Sequence, residues 1–269
     1  MKLSRFAAFS TSLLLAASAA LLGAAPAGAA APAASFGYVA LGDSYSSGVG
    51  AGSYDSASGD CKRSTKAFPV LWKNAHSPGT FAFTACSGAR TGDVTAGQLG
   101  PLDSGTDLVS ITIGGNDAGF ADVMTTCVLQ SESTCLNRIN QAKAYVDGTL
   151  PGKLDAVYRA IRAKAPAARV VVLGYPRFYK LNGSCLAGLS ETERAAINGA
   201  SDHLNAATEK RARDHGFAWG SVVGTFTGHE ICSSSSWLHS VNWTNIGESY
   251  HPTAAGQSGG YYPVFNSTA

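Results

Sequence analysis

The sequence predicts an α/β protein, a single domain with a mostly parallel central sheet covered on both faces. Three observations carry this expectation. Short β-branched and apolar runs recur without polar alternation, as in strands buried on both faces. Helical stretches lie between them. Each run stops at a glycine followed by polar residues.

The first run is Tyr38-Val39-Ala40-Leu41, ended by Gly42-Asp43. The second, Leu108 to Ile113, ends at Gly114-Gly115-Asn116-Asp117. Ile139 to Thr149 and Lys153 to Ala165 follow as helices, the latter stopped by Pro166. Arg169 to Leu173 is the third run, ended by Gly174-Tyr175-Pro176. Ser190-Glu191-Thr192-Glu193 resembles a capping box opening a helix that runs towards Asp214. His215-Gly216 ends it, and Phe217 to Val223 reads as another strand. No repeat, linker or composition break interrupts this part of the chain.

Composition excludes several classes. Of 269 residues, 45% are apolar, enough to bury a core, so disorder is not the main state. Charged residues are 14%, below the ~25% of ordinary soluble domains. The net charge of +2 offers no basic excess for nucleic acid.

The N-terminus reads as an export signal. Lys2 and Arg5 precede an uncharged run from Phe6 to Leu22, and Ala-x-Ala cleavage options follow. The run is Ala-rich and marginal in length for a ~20-residue membrane span, which favours export over an anchor. No Arg-Arg pair is present, so the general route fits better than the twin-Arg one. Cleavage after Ala33 divides the chain into a signal peptide, 1–33, and a mature domain, 34–269. Export makes disulfides the expected state of Cys61, Cys86, Cys127, Cys135, Cys185 and Cys232. Six cysteines allow many pairings. Sequence order suggests Cys61–Cys86, Cys127–Cys135 and Cys185–Cys232.

In an open α/β sheet, ligands bind beyond the carboxyl ends of the strands. Ser44 follows the first run directly and reads either as a nucleophile or, with Asp43, as a helix cap. The Gly-x-Ser-x-Gly elbow of α/β-hydrolases is absent. Asn116, after the second run, reads as an amide donor to an oxyanion or as a Gly-Asn turn. Gly88, in Cys86-Ser87-Gly88-Ala89, offers an unshielded N–H or merely a turn. His251 precedes Pro252, which suits a first helical position and keeps His251 out of the α region. The other histidines (His76, His203, His215, His229, His239) read as surface residues.

Taken in order, Gly42-Asp43-Ser44, the Gly88 loop, Gly114-Gly115-Asn116-Asp117 and His251-Pro252 resemble the four blocks of the SGNH (GDSL) hydrolase superfamily. The resemblance spans Phe36 to Gly256. It is nearest to the small secreted lipases and phospholipase A1 enzymes of filamentous actinobacteria, which the six cysteines and block spacing fit. It implies a flavodoxin-like three-layer αβα sandwich and three sequential disulfides. It implies Ser44 as nucleophile, His251 as general base, and an oxyanion hole from the N–H groups of Ser44 and Gly88 with the Asn116 amide.

Most family members carry Asp three residues before the histidine, where this chain has Glu248. Two groups compete to orient His251: the Glu248 carboxylate, one methylene longer than Asp, and the backbone carbonyl of Ser249. The expectation falls on Ser249. The implied function is a secreted serine ester hydrolase of lipase or phospholipase A1 type, acting through an acyl-serine. A carbohydrate deacetylase and a non-catalytic cell-wall or lipid-binding domain are the alternatives. No metal or cofactor is expected. The expected partners are a lipid or small ester substrate and transient contact with a lipid interface, with the chain a monomer and no nucleic acid bound.

Overall fold

Along the chain, the computed structural model has β1 (Gly37–Gly42), the single-turn α1 (Ser44–Ser47), α2 (Phe68–His76), β2 (Thr80–Phe83), the short α3 (Thr91–Asp93), β3 (Leu108–Thr112), α4 (Phe120–Leu129), α5 (Glu132–Gly148), α6 (Leu150–Lys164), β4 (Arg169–Leu173), α7 (Glu191–Asp214), β5 (Ala218–Gly220), α8 (Val223–Phe226) and α9 (Tyr262–Thr268). It describes residues 36–185 and 188–269; the expected export signal, 1–33, lies outside the described residues. The five strands form one sheet in the order β2-β1-β3-β4-β5, and every pair is parallel. This is the flavodoxin-like order, whose topological switch point lies between β1 and β3.

The burial follows the sequence. β1 and β3 are buried along their whole length, as is β4 beyond Arg169. Val109 pairs with Val39 on one side and Val170 on the other. In one helical layer, Trp72 of α2 and Phe265 of α9 pack on Tyr38 of β1. In the other, α5, α6 and α7 pack against one another. No helix among the described residues is long and apolar enough to cross a membrane.

α7 begins as expected. Ser190 Oγ accepts the Glu193 N–H at 3.2 Å, and Glu193 Oε2 accepts the Ser190 N–H at 2.8 Å. Three expectations need correction. α5 starts at Glu132, earlier than Ile139, because Ser131 caps it. The last strand is only Ala218–Gly220. Pro252 is not a first helical residue: it bridges Leu238, and the helix begins at 254 after Thr253, whose Oγ1 accepts the Gly256 N–H.

The cysteines pair as Cys61–Cys86, Cys127–Cys135 and Cys185–Cys232. The first ties the segment after α1 to the Gly88 loop. The second ties α4 to α5.

Candidate active site

The site is built where β1 and β3 end. Gly42 has φ +122°, and a Cβ there would lie 2.5 Å from the Thr112 carbonyl oxygen. Only glycine lets β1 end this close to β3. Asp43 then caps α1: its Oδ1 accepts the Tyr45 N–H at 3.0 Å and the Thr112 hydroxyl at 2.7 Å. The Tyr175 hydroxyl donates to its Oδ2. The helix-cap reading therefore holds for Asp43, and it leaves the Ser44 side chain to project. Burial raises the Asp43 carboxyl to about 6, against the opposing pull of the hydrogen bonds from Tyr175, Thr112 and the Tyr45 amide.

His251 arrives from the far end of the chain. Its Nε2 lies 2.7 Å from Ser44 Oγ, and its Nδ1 lies 3.0 Å from the Ser249 carbonyl oxygen. Tyr250 makes this possible. It adopts φ +67°, a left-handed bend rare for a side-chain-bearing residue, which folds the Ser249 carbonyl back onto the ring. The Tyr45 hydroxyl donates to the Tyr250 carbonyl at 2.8 Å, and the Tyr250 N–H donates to the His239 carbonyl at 3.0 Å. Both pin the bend.

This geometry sets the tautomer. Nδ1–H donates to Ser249, so Nε2 is left to accept the Ser44 hydroxyl proton. Burial pushes the His251 pKa down to about 4, and the Ser249 carbonyl offsets only part of that. The charges of His239 and Lys62 add in the same direction. His239 is thus not a free surface residue; its Nε2 meets the Gly50 carbonyl at 2.8 Å. The Glu248 carboxylate takes no part in this contact. Its Oε1 accepts the Tyr54 hydroxyl at 2.8 Å.

The three expected donors converge on the same cleft as Ser44 and His251. Ser44 opens α1, so its N–H has no partner inside the helix. Among the described residues neither that N–H nor the Gly88 N–H meets an acceptor. Gly88 holds φ +76° in open space, so the glycine is needed for its conformation rather than its size. Asn116 Nδ2 donates to the Ala89 carbonyl at 3.0 Å, which aims the amide and leaves one N–H over. Asp117 secures the two loops to each other, accepting the N–H and hydroxyl of Thr91 at 2.9 and 2.6 Å.

The cleft has a volume of about 540 Å³ and runs from Ser44 between α4, α5 and α7. Phe120, Met124, Val128, Val146, Ile197 and Leu204 supply apolar walls. Asp43, Tyr45, Tyr175, Asp117 and Tyr250 were not foreseen as parts of the site. Asp43 carried a signal, since it sits beside Ser44. Tyr175 and Tyr250 carried none, because their roles depend on contacts far along the chain.

This fold, with a serine, a neutral imidazole and unpaired donors at the mouth of an apolar cleft, defines a three-layer αβα ester hydrolase. The chain belongs to the GDSL-like Lipase/Acylhydrolase family, whose profile matches residues 40–258. It is 74% identical to Lipase 1 of Streptomyces coelicolor over 269 residues, covering 100% of both chains. The crystal structure of phospholipase A1 from Streptomyces albidoflavus NA297 superposes with a TM-score of 0.86 at 71% identity, over 88% of this chain and 100% of that one. The extracellular lipase of Streptomyces rimosus gives 0.85 at 69% identity, over 87% and 100%.

Proposed function

We propose that the protein is an exported lipase of phospholipase A1 type that cleaves lipid acyl esters through an acyl-Ser44 intermediate. The observation that carries this reading is the 2.7 Å contact between Ser44 Oγ and His251 Nε2 at the mouth of an apolar cleft. A serine hydroxyl is a weak nucleophile until a base takes its proton. Here Nε2 takes it as Oγ attacks the ester carbonyl. Negative charge then grows on the carbonyl oxygen, within reach of the Ser44 and Gly88 N–H groups and the spare Asn116 N–H. The imidazolium returns its proton to the leaving alcohol. Water, deprotonated by the same Nε2, frees the fatty acid from Ser44.

The names of the relatives support the lipid substrate, and so does the cleft, whose apolar walls suit an acyl chain better than a sugar. The reading of 1–33 as a cleaved signal completes the proposal, and N-terminal sequencing of exported protein should begin at Ala34.

The test is a substrate panel on wild type and Ser44→Ala. Wild type should hydrolyse phosphatidylcholine and long-chain glycerides, releasing the sn-1 acyl chain from the phospholipid. A serine-reactive phosphonate should label Ser44. The variant should lose turnover at an unchanged melting temperature. Residual activity within tenfold of wild type would remove Ser44 from this role. Activity confined to acetylated sugars would return the carbohydrate-esterase alternative.

A further inference from the structure

Five large apolar side chains stand exposed among the described residues: Phe36, Leu129, Leu181, Trp243 and Ile246. Three of the five rim one feature. Leu129, Trp243 and Ile246, at 61%, 72% and 64% exposure, line the mouth of the cleft that holds Ser44 and His251. Scattered exposed apolar residues need no explanation, but a cluster around a binding mouth marks an interaction surface.

The segment carrying Trp243 and Ile246 is held in shape. Asn242 Oδ1 accepts the N–H groups of Thr244 and Asn245 at 3.2 and 3.1 Å, and the Thr244 hydroxyl at 2.7 Å. The Asn242 N–H donates in turn to Ser249 Oγ at 2.8 Å. Trp243 and Ile246 are thus presented to solvent from a loop tied to the residue that orients His251. Residues 243–247 are all exposed.

Charge adds a second observation. Lys62 Nζ sits against this loop: a Cβ built on Gly247 would lie 3.4 Å from it. Lys62 makes no ion pair among the described residues. The nearby Glu248 carboxylate accepts the Tyr54 hydroxyl instead. The rim therefore pairs apolar tips with an unpaired cation, the combination that suits the headgroup boundary of a phospholipid layer.

We propose that Leu129, Trp243 and Ile246 form the face that docks on a phospholipid surface, with Lys62 set against the lipid phosphates. This rests on the lipid-ester reading. Continuity decides the occupant. The patch runs directly into the apolar cleft, so a lipid layer seated there feeds an acyl chain to Ser44 without crossing water. A protein seated there would stopper the cleft.

The test exploits the tryptophans. Trp72 is buried, Trp219 and Trp237 are half-buried, and Trp243 is exposed. Ser44→Ala protein, which keeps this face, is mixed with vesicles of phosphatidylcholine and phosphatidylglycerol. The emission should shift to the blue and be quenched by brominated acyl chains, and Trp243→Phe in the same background should abolish both. In otherwise wild-type enzyme, Trp243→Ser and Ile246→Ser should each lower hydrolysis of vesicle phospholipid at least tenfold more than hydrolysis of monomeric p-nitrophenyl butyrate. Lys62→Ala should weaken vesicle binding at low salt and flatten its salt dependence.

Equal losses on both substrates, at unchanged melting temperature, would overturn the docking role and make the loop a plain pocket wall. An unshifted emission spectrum would overturn it too, as would a concentration-dependent dimer that covers Trp243. Wild-type activity on phospholipid dispersed in detergent micelles separates the two proposals. If it is present while vesicle binding fails, only the docking face is lost. If it is absent, the lipid-ester reading falls first.

Discussion

The Tyr54 hydroxyl donates to Glu248 Oε1 at 2.8 Å, which holds that carboxylate off the imidazole of His251. Glu248 stands where most members of the superfamily carry the acid of a Ser-His-Asp triad, yet it is committed to a different residue. Glu248→Gln keeps an oxygen to accept from Tyr54. It is expected to retain kcat within a fewfold of wild type. A triad carboxylate changed to its amide costs on the order of 10⁴ in kcat. Steady-state kinetics on a soluble ester distinguishes these outcomes without ambiguity.

The acid limb of the pH profile should lie unusually low. In the proposed mechanism only neutral His251 takes the Ser44 proton, and burial holds its pKa at about 4. Activity is therefore present above that value and lost as pH falls through it. An unburied imidazole would titrate near ~6.5. Measured on an uncharged ester, kcat/KM should stay level from neutral pH down to about 5 and then drop. A break near 6.5 would mean that the imidazole is solvated. In the same acidic window the unfolded chain binds a proton that the folded imidazole refuses, so His251 lowers stability as pH falls from about 6.5 to about 4. Asp43, raised to about 6, acts in the opposite sense. Its contribution to stability is present below its unfolded value and lost as pH rises through about 6.

Asn116→Ala should cost ~10²–10³ in kcat with little change in KM, the usual size for one lost oxyanion donor. The substitution also frees the Ala89 carbonyl, which Asn116 Nδ2 now occupies at 3.0 Å. Asn116→Asp keeps the side chain's shape but supplies no N–H to the oxyanion or to the Ala89 carbonyl, so it should lose at least as much of kcat. A loss confined to KM would assign Asn116 to substrate binding.

How far the sequence reveals this molecule depends on where each element finds its partners. β1, β3 and β4 were legible because both faces are buried, which forces continuous apolar runs bounded by glycine. β2 was not. Thr80–Phe83 is a short edge strand, only partly buried, and its pattern of Thr, Phe, Ala and Phe has no clear period. α4 escaped notice because it starts on Gly119 in a left-handed conformation, with no side-chain cap to announce it. Ser44 and His251 were legible as residues at strand and loop ends. The bend at Tyr250 was not, because it is held by Tyr45, 205 positions away in the chain. Pro252 misled for a related reason. Its pairing with Leu238 is a tertiary contact that overrides its preference for a helix start.

Breaking Cys61–Cys86 should cost both stability and turnover. The linked cysteines are 25 positions apart, and closing such a loop contributes about 3.5 kcal/mol on the chain-entropy account. The same bridge carries the Gly88 loop, and the Ser87 N–H donates to the Cys61 carbonyl at 3.1 Å. Cys61→Ser with Cys86→Ser should lower the melting temperature and reduce kcat, whereas loss of Cys127–Cys135 should act on acyl-chain preference, since that bridge joins α4 to α5 along the cleft wall. Thiol titration of denatured, unreduced wild type should find no free cysteine.

The oxygen facing His251 Nδ1 belongs to the peptide backbone, and no codon change at position 249 deletes it. Alanine scanning across this segment would pass over the orienting group without a signal, since Ser249→Ala removes only a hydroxyl that holds Asn242. The genetic weight shifts by one residue. Position 250 must hold a left-handed bend while its ring stays packed in the core, and few side chains meet both demands. A mutational screen should therefore report a tolerant 248, a buried 249 that still accepts alanine, and an intolerant 250. From such data alone the enzyme would look like one with no third catalytic partner at all.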